Sequence, residues 1–240
     1  ETIAVLEAGA ASAVPLDPAV KKLGLVLEKP PLGSPVAVAD TLRALLKSPT
    51  IGLPLAALSK LGGPALSRGQ KITAVLYDER EVIDVEPGDA GEETFGLAVD
   101  LGTSTVAAEL VDLRTGRVVD RTAAVNAQGS YGADVVSRIT FAFENPDNLR
   151  RLRTAAVQLI NDLVAGMSRR CGVARHRVYD AVVAGNTAMN HILCGVAVDS
   201  LALAPFHAVF SALPAFPAAE LGFALHPHAR VYVVPNIKSF

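Results

Sequence analysis

The residues Asp100-Leu101-Gly102-Thr103-Ser104-Thr105 set a carboxylate, a glycine and three hydroxyl side chains at the tip of the apolar run Gly96 to Val99. A buried strand has no structural need of such a tip. Gly102 permits a tight turn and lets an oxyanion approach the main chain, so the amides and hydroxyls of Thr103 and Ser104 converge on one small concavity suited to phosphate. Asp100 is suited to a hydrated Mg²⁺ opposite those donors, because that cation prefers hard carboxylate oxygens and retains waters. The arrangement is a two-strand hairpin site. A Walker-type loop is disfavoured, since G-x-x-x-x-G-K-[ST] does not occur. Ordinary turn chemistry also accounts for D-x-G-T by itself.

Two further segments place polar groups where strands end. Asn126-Ala127-Gln128-Gly129-Ser130-Tyr131-Gly132-Ala133-Asp134 is amide-rich and finishes on a second carboxylate. Asn126 and Gln128 are able to orient a water or substrate oxygen, and Asp134 to act as a base or to bind a metal through water. The alternative is a solvated loop in which Asp134 caps a turn of helix through Val135 and Val136. Gly185-Asn186-Thr187 likewise follows a buried strand, where open α/β sheets gather ligand contacts. A local Asn cap of the next helix explains that segment almost as well.

The elements that must position these residues follow from pattern. Strands are expected at Phe95 to Asp100, Val106 to Val111 and Val118 to Ala124, the last two joined by the turn Asp112 to Arg117. Asn145 caps a helix with Pro146 at its first position. Its apolar stripe is Leu149, Leu152, Ala156, Leu159, Ile160, Leu163 and Met167, and Gly172 stops it. A strand at Ala181 to Ala184, a short helix through Met189 and Leu193 and a strand at Val231 to Val234 complete an order β-β-β-α-β-α-β.

Upstream, residues 1–22 read as a linker. Residues 23–90 read as a small β-α-α-β-β domain: a strand at Leu23 to Leu27 ended by Pro30-Pro31, helices at Val38 to Leu46 and Leu53 to Leu61, and strands at Lys71 to Leu76 and Glu81 to Val85. The polar break Glu86 to Glu93 separates this domain from a unit at 94–240.

Composition excludes several function classes. Half of the 240 residues are hydrophobic and the net charge is -2, so the chain folds around a core and offers no global attraction to nucleic acid or to an anionic membrane. No secretory signal or membrane-spanning segment is evident, which points to the cytoplasm. Cys171 and Cys194 are far apart and outside any C-x-x-C pattern, so neither a disulfide framework nor a metal or cluster ligand set is expected. His226 and His228 lack partners for a metal site nearby in sequence.

The phosphate hairpin with this element order resembles the first lobe of the superfamily that joins acetate and sugar kinases, heat-shock chaperones and actin. Within it, GLAVDLGTSTVAAELVDLRTG, NAQGSYGADVVSRI, ENPDNLRRLR, VVAGNTAMNH and VYVVPNIKSF resemble the ATPase domain of the reductive activators of corrinoid-dependent enzymes. The stretch LDPAVKKLGLVLEKPPL and the small domain are similar, more loosely, to that family's linker and middle domain.

The resemblance implies an α/β fold: a small middle domain, then the first lobe of an actin-like, ribonuclease H-like ATPase domain with a mixed sheet and helices. It implies ATP and Mg²⁺ as cofactors, with Asp100, Gly102, Thr103 and Ser104 as the first phosphate loop. Asn126, Gln128 and Asp134 would line the cleft, and Gly185, Asn186 and Thr187 its floor. The implied function is ATP-driven return of a corrinoid protein of a methyltransferase system from cob(II)amide to cob(I)amide, with electrons from a [2Fe-2S] domain. The alternatives are a small-molecule kinase with Asp134 as base, and a non-catalytic actin-like scaffold.

Two departures from the family stand out: the chain has no cysteine set for a [2Fe-2S] cluster, and it stops before the second phosphate motif and lobe. It is therefore expected to be a fragment that does not hydrolyse ATP alone, because each lost charge-assisted hydrogen bond costs roughly 1.5–3 kcal/mol. The oligomeric state stays open, a homodimer included.

Overall fold

In a computed structural model the described residues are 15–28, 31–63, 70–90 and 93–237. Residues 1–14 of the expected linker, Pro30, Gly91-Glu92 of the expected break and the closing residues 238–240 lie outside them. The chain divides into two compact units between Thr94 and Phe95.

The first unit follows the order read from the sequence. Strands β1 (Val20–Leu27), β2 (Gln70–Tyr77) and β3 (Glu81–Pro87) form an antiparallel sheet in that spatial order, with helices α1 (Val38–Leu45) and α2 (Leu55–Leu61) between β1 and β2 in sequence. Leu27, Leu42, Ala57, Leu61, Ile72, Ala74, Val82 and Val85 make its core. The β2–β3 turn places Asp78 and Glu79 at φ 50° and 54°. Both central residues of a tight hairpin turn take positive φ when the turn must match the strands' right-handed twist.

The second unit is a six-stranded mixed sheet of order β6-β5-β4-β7-β9-β8. β4 (Phe95–Leu101), β5 (Thr105–Asp112) and β6 (Arg117–Val125) are antiparallel neighbours. β7 (Val178–Gly185) runs parallel to β4, and β9 (Arg230–Val233) parallel to β7. The short β8 (Phe216–Pro217) closes the edge. The period-2 pattern is explicit in β4, where Leu97, Val99 and Leu101 are buried while Ala98 and Asp100 are exposed.

The buried face packs under the 26-residue helix α4 (Pro146–Cys171). Asn145 caps it through the Asp147 N–H, Pro146 opens it, and Gly172 ends it at φ 71°, as the sequence indicates. Leu152, Ala156, Ile160, Leu163 and Met167 form its buried stripe. With α5 (Thr187–Cys194) they join the sheet in one core.

The structure adds elements to the expected order. The segment after β6 is a 3-10 turn at Ala127–Ser130 followed by a ten-residue helix, α3 (Val135–Glu144), where the sequence suggested one turn. Between α5 and β9 lie two single-turn helices, α6 (Asp199–Ala202) and α7 (Ala218–Leu221). No helix among the described residues is long and apolar enough to cross a membrane.

Candidate functional site

β4 ends at Leu101 and β5 begins at Thr105, so Gly102, Thr103 and Ser104 make the entire connection. A side chain at Gly102 is excluded. Its Cβ would lie 2.6 Å from the Thr105 carbonyl oxygen, and that neighbour is backbone.

Three successive carbonyls of this turn are held by buried donors. Asn126 Nδ2 donates to the Gly102 oxygen at 2.8 Å, Arg138 Nη2 to the Thr103 oxygen at 2.7 Å, and the Asn126 backbone N–H to the Ser104 oxygen at 2.8 Å. In a trans peptide the N–H points opposite the C=O of the same unit. The amides of Thr103, Ser104 and Thr105 share those three units and are therefore turned away from Asn126 and Arg138. Ser104 itself is exposed. A run of amides turned to one side is a geometry that can bind an anion.

Asn126 and Gln128 stand behind the turn, at 2% and 0% exposure, and do not face a solvent-filled cleft. Asn126 Nδ2 also reaches Gln128 Oε1 at 3.1 Å, and its Oδ1 accepts the Gln128 N–H at 2.9 Å. Gln128 Nε2 donates to the Leu152 carbonyl at 3.1 Å, tying the loop to α4. Their amide groups are engaged in building the hairpin's support.

Arg138 is the residue that motif reading missed. Its side chain is 1% exposed, and besides Thr103 it donates from Nε to the Gly132 carbonyl at 2.9 Å and from Nη1 to Gln128 Oε1 at 3.3 Å, with Met189 Sδ at 3.4 Å. All four acceptors are neutral. Burial lowers its pKa while the Asp134 charge raises it, and a guanidinium stays protonated in such settings. The available signal was an arginine adjoining Ile139 and aligned with Ala142, on the stripe that α3 buries.

Asp134 caps α3. Its Oδ1 accepts the Ser137 N–H at 2.8 Å while Ser137 Oγ accepts the Asp134 N–H at 3.1 Å, a reciprocal capping box. The Ser137 N–H holds its carboxyl below the ordinary aspartate range. A carboxylate so held is a weak proton acceptor.

Asn186 does two things at once. Its Oδ1 accepts the Met189 N–H at 2.9 Å as the cap of α5, and its Nδ2 donates to Thr103 Oγ1 at 3.2 Å. Gly185 lets α5 sit against the end of β4, since a Cβ there would meet Asn190 Oδ1 at 2.8 Å and the Leu101 oxygen at 3.3 Å. Thr187 is buried, and its carbonyl contacts His191 Nδ1 at 2.7 Å. Asn190 Nδ2 reaches Asn236 Oδ1 at 2.8 Å, fixing the chain just beyond β9 to the same corner.

Asp100 occupies the last exposed position of β4, on the face opposite the core under α4. It borders a hollow of about 340 Å³ whose other lining residues include Ala98, Ala107, Glu109, Val182 and Ala184. The structure thus gathers Gly102, Thr103, Ser104, Asn126, Gln128 and Asn186 around one turn, with Asp100 at its root. Asp134 stands at the start of α3, in the helical layer, and reaches this assembly through Arg138.

The family pattern described as the RACo linker region matches residues 9–92, and that described as the RACo middle region matches residues 95–240. The chain is 26% identical over 240 residues to the corrinoid activation enzyme RamQ of Eubacterium limosum, covering 98% of this chain and 40% of that protein. It superposes on the solved reductive activator for corrinoid, iron-sulfur protein with a TM-score of 0.84 at 31% identity, covering 98% of this chain and 38% of the other. The chain therefore spans less than half the length of either relative. Matched over most of its residues by these two patterns, the chain belongs to the RACo family of reductive activators.

Proposed function

We propose that the β4–β5 hairpin binds the terminal phosphate of Mg·ATP and that the complete protein uses ATP to reduce a corrinoid protein from cob(II)amide to cob(I)amide. The observation that carries the reading is the pinning of the Gly102, Thr103 and Ser104 carbonyls by buried donors, which turns the intervening amides outward. The donor set fits a phosphate, and the exposed Asp100 carboxylate fits a metal held through water. Thr103 and Ser104 bind the anion, Asn126 and Gln128 support the turn, and Asn186 locks Thr103 Oγ1 beside it. Gly185 and Thr187 set the start of α5.

The residues of this chain do not fit a [2Fe-2S] cluster, which needs four thiolates where the chain has Cys171 and Cys194 only. Burial pushes the Cys194 thiol up to about 11, the opposite of what a thiolate ligand requires. The electron in this proposal comes from a domain outside residues 1–240, and the corrinoid cobalt is its acceptor. ATP binding closes the nucleotide site, and that motion is coupled to the docked corrinoid protein. The RamQ name and the name of the solved reductive activator support this partner class. The low-pKa, capping role of Asp134 speaks against a kinase that would use it as base.

The test is reduction of a cob(II)amide corrinoid protein by the complete protein with an electron donor, followed by absorbance with and without ATP. ATP-dependent appearance of cob(I)amide, lost in Asp100→Ala, supports the proposal. ATP-independent reduction, or full ATP dependence in that variant, overturns it.

A further inference from the structure

We infer that Arg138 is a positioning residue for the bound phosphate: a buried positive charge that acts through a single peptide unit, Thr103 C=O to Ser104 N–H. The inference rests on the hairpin's being a phosphate site, and it assigns a second layer to that site.

The guanidinium donates to the Thr103 oxygen at 2.7 Å, the shortest of its contacts. Donation to a carbonyl polarises the peptide and makes the N–H at its other end a stronger donor, an effect that grows in a low-dielectric surrounding. The N–H at the other end belongs to Ser104, the exposed residue at the turn's crest. At 1% exposure Arg138 is shielded from water, so little screens its charge from an anion on the far side of that peptide.

Arg138 is also incompletely neutralised. Its hydrogen-bond acceptors are two carbonyls, one amide oxygen and a thioether, and Asp134, the carboxylate whose charge acts on it, is exposed and bonded to Ser137. A buried charge of this kind costs stability unless something offsets it. An anion on the Thr103–Ser104 amides supplies that offset. The bound phosphate and Arg138 are thus mutually stabilising, with the Thr103–Ser104 peptide as the bridge.

The experiment uses the complete protein with Arg138→Gln and Arg138→Lys, reading Mg·ATP and AMP affinity by calorimetry or competition together with the melting temperature. AMP lacks the terminal phosphates, so it reports on the rest of the nucleotide site. Arg138→Gln is expected to weaken Mg·ATP about 10- to 100-fold and AMP by less than about threefold. Arg138→Lys keeps the charge with fewer donors and is expected to lose less than Arg138→Gln, again for ATP and not for AMP. Mg·ATP is also expected to raise the melting temperature of wild type more than that of either variant at equal ligand.

Unchanged ATP affinity in a folded variant overturns the inference, as does an equal loss for ATP and AMP, which marks a merely structural role. Should Arg138→Gln fail to fold, the ATP-to-AMP split in Arg138→Lys decides by the same criterion. Failure of the underlying reading shows itself separately, as a wild-type protein that does not prefer ATP to AMP.

Discussion

The Arg138 guanidinium and the Thr103 carbonyl meet at 2.7 Å, so a side chain buried in the fold fixes a turn that is partly outside it. Asn126 does the same one residue earlier and one residue later, through its side chain to Gly102 and its backbone to Ser104. The hairpin is preorganised in that its carbonyls are already committed, and in the proposed site a ligand would meet amides that need little rearrangement.

Gly102→Ala should disrupt the hairpin without touching the core beneath it. The new Cβ would sit 2.6 Å from the Thr105 oxygen, so the turn must open. The expected result is a loss of about 1–3 kcal/mol in denaturant unfolding and loss of Mg·ATP binding in the complete protein. An alanine variant with wild-type stability and affinity would contradict the tight turn.

Asn126→Asp tests the amide's polarity at nearly constant shape. The substitution removes the donor to the Gly102 oxygen and sets a carboxylate against both that oxygen and Gln128 Oε1 in a site 2% exposed. Burying an unpaired acceptor costs about 1–3 kcal/mol, more when it is charged. Stability of the variant should therefore fall more at neutral pH than at pH 4, where the new carboxyl is protonated. Equal loss at both values would show that charge is not the cause.

His191 should make the second unit acid-sensitive. Its ring is buried, stacks on Phe210 at 4.4 Å, contacts the Thr187 carbonyl through Nδ1 and accepts the Val209 N–H at Nε2, 3.0 Å away. Burial pulls its pKa below the ordinary histidine value of 6.5. The unfolded chain then takes up the proton first, so stability is complete above pH 6.5 and falls as pH drops through the interval down to the folded-state pKa. Denaturant midpoints from pH 8 to 5 should show this fall, and His191→Gln should flatten it. An unaltered slope in the variant would assign the acid sensitivity elsewhere.

Asp180 has the opposite sign. It lies in β7, its Oδ1 is buried without a hydrogen-bond partner, and burial raises its pKa from 3.8 to about 6. The folded state holds the proton longer than the unfolded one, so this residue's contribution declines as pH rises from 3.8 to about 6 and stays low above that. Asp180→Asn should raise stability at pH 7–8 by at most about 3 kcal/mol and give no gain near pH 3.5. A variant less stable than wild type at pH 8 would show that the carboxylate has a compensating role.

Much of the architecture was legible because periodicity is written in side chains. The β4 alternation, the α4 stripe from Leu152 to Met167, the Asn145-Pro146 start and the Gly172 stop all appear where local pattern puts them. α3 was less legible because two β-branched valines follow its cap, which lowers helix propensity, and its length is supported by packing against α4. The hairpin was legible as a set of residue types. Its support was not: Asn126 and Gln128 read as ligand-facing amides because sequence gives no sign of which way a polar group points. Arg138 read as nothing, because an arginine on an apolar stripe declares its role only when three carbonyl-type oxygens from two segments converge on it.

The most direct test of the central claim is a crystal structure of the complete protein with Mg²⁺ and a non-hydrolysable ATP analogue. The account predicts a terminal phosphate oxygen within ~3 Å of the Ser104 N–H, Asp100 facing the metal through water, and the Arg138 contact to Thr103 retained. A nucleotide bound with its phosphates away from the Gly102–Ser104 turn would contradict it.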